Sequence, residues 1–342
     1  MKAMAITRIC DISKNRNPLA AMDMQMPVIG IHEAMVQVSA CGVCHTELDE
    51  IEGRTPPAEF PMVPGHQIVG TVVDVGREVT RLKPGDRVGI AWIYSSCQKC
   101  FFCREGLENL CGEFRATGRD AHGGYAEYTK VDEHFAFKIP ETLSDIEAAP
   151  LLCAGAIGYR SLRLTHITDG LNLGLTGFGA SAHLVLKMVR YKFPNTKVFV
   201  FARNPKEREF ALELGAVWAG ETQQRSPRKL HAIIDTTPVW RPVVEALRNL
   251  HPNGRLVINA IRKEESDKNE LLLLDYAEHL WMEKEIKSVA NVAGCDVREF
   301  LDLAAKIPIK PEVQVFPLEK ANDALTEMKE GKIRGAKVLQ IG

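Results

Sequence analysis

The sequence predicts a two-domain chain of class α/β plus β, in which a β-rich part precedes a doubly wound parallel sheet. Up to about residue 150, short β-branched runs such as 68–76 are separated by Gly and Pro turns such as Lys83-Pro84-Gly85-Asp86. This is the pattern of a twisted barrel or sandwich. From residue 171 onward, short apolar runs alternate with helix-like stretches, the pattern of a parallel sheet covered on both faces. The first of these runs ends in a glycine-rich turn, Gly174-Leu175-Thr176-Gly177-Phe178-Gly179, that opens a helix.

The elements follow in order. Residues 1–6 read as a strand and not as a signal peptide, so the cytoplasm is the expected location. Residues 145–163 contain few turn formers and read as helical. Strands are expected at 171–176, 198–201, 232–235 and 256–259, and helices at 180–191 and 205–214. Two further helices, near 296–306 and 318–331, precede a closing strand at 336–341. A length of 342 residues exceeds one ordinary core and suits two domains. A net charge of −1 gives no global field for nucleic acid or an anionic membrane. No apolar run approaches the roughly 18–20 residues needed to span a bilayer.

Nine cysteines, with no export signal, point to metal binding or catalysis more than to disulfides. Cys97, Cys100, Cys103 and Cys111 are packed closely enough to hold a tetrahedral Zn²⁺ with Zn–S near ~2.3 Å. Four thiolates leave no open position, so such an ion is structural; ordinary buried thiols and an iron–sulfur cluster are the alternatives. Cys44, His66 and Cys153 each have a plain reading of their own: a redox pair with Cys41, a structural histidine and a core thiol. Spacing alone does not join them.

The motifs GVCHTEL, PGHQIVG, LLCAG, GLTGFGASAH and KIRGAKVLQI, with the four-cysteine lobe, do. In this order, over essentially the full length, the chain resembles the zinc-containing medium-chain alcohol dehydrogenases. The resemblance implies a GroES-like catalytic domain at 1–150, completed by 291–342. It also implies a Rossmann dinucleotide-binding domain at 151–290, with the active site between the two. It assigns a catalytic zinc to Cys44, His66 and Cys153, with a position left for water or substrate. An ion there promotes hydride transfer between an alcohol and a nicotinamide cofactor. Thr46 contacts the substrate hydroxyl and begins a proton relay. Glu47 orients His66, and Trp92 and Ile93 line the substrate pocket.

Two positions depart from the family. Gln67 replaces the glutamate that often follows the histidine ligand. Asp49 stands where a histidine often ends the relay, and a free aspartate, with a pKa near ~3.9, is a poor base at neutral pH. Water or His45 are alternatives, although the alignment sets His45 beside the cofactor pyrophosphate.

For the cofactor, Gly174, Gly177, Phe178 and Gly179 form the phosphate turn, with Thr176 in place of a usual glycine. At the end of the second strand an acidic residue normally binds the adenosine ribose. Here Ala202 takes that position and Arg203 follows, so NADP(H) is favoured over NAD(H). Arg334 matches a pyrophosphate-binding arginine. The expected substrates are small primary or secondary alcohols, and the expected assembly is a homotetramer or homodimer. Polyol oxidation, double-bond reduction, and a non-catalytic NAD(P)H-binding protein of the same fold are the other readings.

Overall fold

A computed structural model describes residues 1–307, 309–331 and 335–342. The chain divides into two compact units, Met1–Cys153 with Val292–Gly342, and Ala154–Asn291. In the first unit the order is β1 (Lys2–Ile6), β2 (Leu19–Asp23), β3 (Glu33–Val43), α1 (His45–Ile51), β4 (Ile68–Val75), β5 (Arg87–Ile90) and β6 (Ile93–Ser95). It continues with α2 (Phe101–Arg104), β7 (Arg115–Ala116), β8 (Tyr128–Asp132), β9 (Ala136–Lys138) and α3 (Asp145–Pro150). The second unit holds α4 (Ala156–Leu164), β10 (Asn172–Thr176), α5 (Ala180–Lys192), β11 (Lys197–Phe201), α6 (Pro205–Glu213), β12 (Trp218–Gly220), β13 (Leu230–Asp235), α7 (Arg241–Leu247), β14 (Leu250–Ile258) and β15 (Glu285–Ser288). α8 (Gly294–Ala304), β16 (Val313–Pro317), α9 (Ala321–Lys329) and β17 (Ala336–Gln340) belong to the first unit.

The main sheet of the first unit runs β16-β17-β3-β4-β5-β9, with β8 also on β3. β3 is its organiser. Its first half pairs antiparallel with β8 and its second half with β17, while register shifts against β4 interrupt the ladder on either side of Val36–Val38. Such bulges bend a strand and raise its twist, as a closing barrel requires. Alternate side chains Ala34, Val36 and Val38 are buried with Ile68, Val72, Val88 and Ile90, each contributing roughly 1.5–3 kcal/mol of burial for the larger aliphatics. The β-rich reading omitted α1. Its Leu48 and Ile51, three positions apart, both enter this core, and the Glu47 carboxylate accepts the Cys44 N–H at 2.7 Å.

The second unit is a parallel sheet of order β12-β11-β10-β13-β14-β15, the 3-2-1-4-5-6 arrangement of dinucleotide-binding folds. β10 and β11 are almost wholly buried, which is why they read as continuous apolar runs. One expectation needs correction. Residues 145–163 do not form one helix: α3 ends at Pro150, and a π-helical turn, Leu151–Gly155, precedes α4. Proline has no N–H for the interior of a helix, and π turns recur at functional sites. β15 escaped notice because all four of its residues are exposed and mixed in polarity; its pairing with β14 carries an Arg255–Glu285 ion pair of 2.7 Å. No helix among the described residues is long and apolar enough to cross a membrane.

Candidate active site

Three segments of the first unit converge on one point. Cys44 is the extended residue between β3 and α1. His66 precedes β4, behind Gly65, whose positive φ of 99° brings a Cβ position within 2.4 Å of the Tyr125 ring, so only glycine fits there. Cys153 lies in the π turn. The Cys44 and Cys153 sulfurs are 3.9 Å apart, and together with a His66 nitrogen they lie within 4.8 Å of one another. Two thiolates on a tetrahedral Zn²⁺ sit ~3.8 Å apart if each Zn–S bond is ~2.3 Å. The Glu47 carboxylate takes His66 Nδ1 at 2.7 Å, so Nε2 is left as the ligating atom. Nε2 is buried and has no hydrogen-bond partner among the described residues. The residues therefore fit a zinc ion.

The electrostatics suit a cation. A hydrogen bond from Cys153 holds the Cys44 thiol well below its usual pKa; burial opposes this and His66 assists it. The same hydrogen bond and burial push Cys153 well up. His66 is held well above its ordinary value: burial works against its charge, but Glu47 and Cys44 outweigh it. A dication held there would supply the compensating charge that lets both sulfurs ionise.

The neighbouring residues fall at different distances from this point. Thr46 Oγ1 is 3.6 Å from Cys44 Sγ. Asp49 is buried on α1 and paired with Arg54, while His45 is exposed at the start of α1. Gln67 is buried with its side chain packed on Gly42. Trp92 lies 5.1 Å from Phe114, ring to ring, with Arg119 over its face at 5.3 Å. Ile93 is fully buried on β6.

The cysteine lobe is a separate site of the same unit. Cys97, Cys100, Cys103 and Cys111 bring four sulfurs within 4.8 Å of one another, with Cys103 Sγ 3.9 Å from Cys97 and 3.6 Å from Cys100. Backbone N–H groups of Cys100, Cys97 and Glu113 donate to these sulfurs at 3.3–3.4 Å. The amides of Lys99 and Cys100 bring the Cys97 thiol down to about 6. The lobe is also tied to α8, where Cys295 Sγ donates to Gly106 O at 3.5 Å. Four thiols with amide donors fit a closed zinc site.

In the second unit, Gly177-Phe178-Gly179 form the turn between β10 and α5. Gly177 has a φ of 74°, and a Cβ there meets Thr236 Oγ1 at 2.9 Å; the side-chain direction of Gly179 is open. Phe178 is buried edge-on to Phe210 at 5.8 Å. Gly174 lies within β10, not in the turn, and its missing Cβ makes room for Leu230. Thr176 Oγ1 donates to the buried Asp235 at 2.5 Å, and Asp235 also binds Lys263 at 2.5 Å. Ala202 is buried at the end of β11, and Arg203 is exposed beside it. Arg208 donates to both their carbonyls, at 2.8 and 3.0 Å. Arg334 lies outside the described residues. Sequence reasoning missed Lys263, Arg208 and the buried Glu50; nothing in their local pattern separates them from solvated charges.

Residues 30–141 match the family model of the alcohol dehydrogenase GroES-like domain. The chain is 41% identical over 329 residues to a probable alcohol dehydrogenase, AdhA, of Mycobacterium tuberculosis (strain CDC 1551 / Oshkosh), across 95% of this chain and 93% of that protein. It is 32% identical over 341 residues to an alcohol dehydrogenase of Geobacillus stearothermophilus, across 96% and 98%. A cinnamyl alcohol dehydrogenase structure from Sorghum bicolor aligns with a TM-score of 0.83 at 26% identity, covering 99% of this chain and 97% of that one. With relatives of this identity spanning nearly its whole length, the chain belongs to the zinc-containing medium-chain alcohol dehydrogenases and is an NAD(P)-dependent enzyme that exchanges a hydride between an alcohol and its aldehyde or ketone.

Proposed function

We propose that this chemistry is centred on Cys44, His66 and Cys153, which hold one catalytic zinc, while Cys97, Cys100, Cys103 and Cys111 hold a second, structural one. The observation that carries the reading is the buried, unpartnered His66 Nε2 beside two sulfurs 3.9 Å apart. When bound, the ion serves as a Lewis acid toward the substrate oxygen, and the nicotinamide carries the hydride. Glu47 fixes the tautomer and direction of His66. Thr46 is the first position of the proton path. Asp49, one turn further along α1 and paired with Arg54, stands where the path would end; a carboxylate held in an ion pair is a weak base, so water or His45 are the other acceptors. Trp92 and Ile93 shape the alcohol pocket. The catalytic domain is 1–150 with 291–342, and the cofactor domain is 151–290.

NADP(H) is the preferred cofactor. Gly177, Phe178, Gly179 and the start of α5 receive the pyrophosphate, with His45 and Arg334 as further anion contacts and Gly174 fitting the strand beneath. At Ala202 no carboxylate opposes a 2′-phosphate, and Arg203 pairs with it. The enzyme works in the cytoplasm as a homodimer or homotetramer. In support of assembly, the edge strand β15 is exposed, as are Leu272, Tyr276 and Trp281.

Metal analysis and side-by-side kinetics test the reading. Two zinc ions per chain are expected, with kcat/KM higher for NADPH than for NADH. Arg203→Ala should lower that preference by roughly 5–30-fold, the worth of about 1–2 kcal/mol in an exposed charge-assisted contact. A large advantage for NADH in the unaltered enzyme overturns the cofactor assignment, and a single zinc overturns the two-site assignment.

A further inference from the structure

We propose that Glu50 is a specificity residue that binds a second hydroxyl group of the substrate, making polyhydroxylated alcohols the preferred substrate class. The proposal rests on the alcohol-oxidising centre at Cys44, His66 and Cys153.

Glu47 and Glu50 are one turn apart on α1 and share a face. Glu47 is fully engaged: one oxygen takes His66 and the other takes the Cys44 N–H. Glu50 is just as deep, 1% exposed, yet neither of its carboxylate oxygens has a hydrogen-bond partner among the described residues. An unpaired buried carboxylate is among the costliest arrangements a fold can hold, and buried polar groups are normally satisfied by protein, water or ligand. The charged groups within its field are Glu47, His66, Cys44 and Arg119. Arg119 is already taken, bonded to Asp120 at 3.0 and 2.7 Å and lying over Trp92.

Glu50 is not alone. Thr55 Oγ1, Trp92 Nε1, Thr117 Oγ1 and Tyr125 OH are also buried without hydrogen-bond partners among the described residues. Thr55 N–H reaches Asp49 O on α1, and Thr117 N–H reaches the carbonyl of Trp92, whose ring lies under Arg119, a charge that acts on Glu50. The Tyr125 ring packs on Gly65 beside His66, and its phenol feels Glu47 and Glu50. These four groups are uncharged donors and acceptors. Hydroxyl groups suit partners of this kind, whereas an ammonium brought to Glu50 would face Arg119. Burial first, and then the negative charge of Glu47, push the Glu50 carboxyl well above the usual range. A carboxyl group with no protein partner is free to take a hydrogen bond from a hydroxyl. A monohydric alcohol, using only its reacting oxygen, has nothing to offer Glu50.

The experiment compares kcat/KM for butane-2,3-diol and butan-2-ol with the zinc-loaded enzyme, in the unaltered protein, Glu50→Leu and Glu50→Gln. The unaltered enzyme should favour the diol. Glu50→Leu should cut the diol-to-monoalcohol ratio by ~10-fold or more, because a site built to bind a hydroxyl discriminates through its unpaired groups; Glu50→Gln, which still donates and accepts, should restore most of it. Calorimetric titration of the zinc-loaded, cofactor-free protein with the diol should show the same loss of affinity in Glu50→Leu. An unchanged ratio, or an unchanged affinity, in Glu50→Leu overturns the proposal alone. No turnover of either alcohol by the unaltered enzyme overturns the centre beneath it as well.

Discussion

The two thiol sites of the first unit are built in opposite ways. In the lobe, four sulfurs between residues 97 and 111 are gathered by local turns, and main-chain amides point at them. In the other site, Cys44 and Cys153 are 109 positions apart, and the third member is an imidazole aimed by a side chain. Four thiols close a tetrahedron, whereas two thiols and an imidazole leave one position open. With an ion in each, the locally built site would be closed and structural, while the assembled one would keep a position for a reactant.

The largest expected effect breaks the assembled site. Cys44→Ser should lower alcohol oxidation by roughly 10³-fold or more, since a catalytic ion supplies several kcal/mol of transition-state stabilisation. Zinc content should fall by one ion, with the circular dichroism spectrum unchanged. If that variant keeps both ions and normal rates, the trio is not the reactive centre.

Breaking the lobe should do the converse. Cys100→Ser should release the other ion and lower Tm, because a structural zinc contributes folding energy directly. A loss of about 3 kcal/mol corresponds to a fall of roughly 6–12 °C in a unit of this size. Calorimetry checks the Tm, and kcat measured well below the transition should stay within about twofold. A variant that keeps its Tm but loses its turnover reverses the roles of the two sites.

This contrast also explains what was legible in the sequence. The lobe was readable because its ligands are close in sequence, and the parallel sheet because β10 and β11 are continuous apolar runs. The trio was not: three elements bring it together, and only the family resemblance joined the residues beforehand. α1 was hidden because seven residues give too few turns for a 3.6-residue period to stand out. The helical reading of 145–163 ran through Pro150, where α3 ends, and through the π turn that carries Cys153. Glu50 looks in sequence like any charge on a short helix; its burial is a tertiary fact.

The smallest effect concerns how each site holds its ligands in place. The lobe sulfurs receive backbone N–H groups, which no side-chain change removes. His66 depends on Glu47, both buried, with 2.7 Å between carboxylate and Nδ1. Glu47→Gln preserves the shape and keeps one acceptor, so the fold and the Cys44 N–H contact should survive. It removes the negative charge that makes the imidazole a stronger donor to a cation, and it leaves the ring freer to turn. Losing such a partner typically costs 10–100-fold in metal affinity or activity. In competition with a chelator, one ion should leave ~10–100-fold more readily than from the unaltered protein, and the lobe ion should leave at its original rate. If both ions loosen together, the two sites share a support that the backbone of the lobe does not supply, and the contrast between local and assembled sites fails.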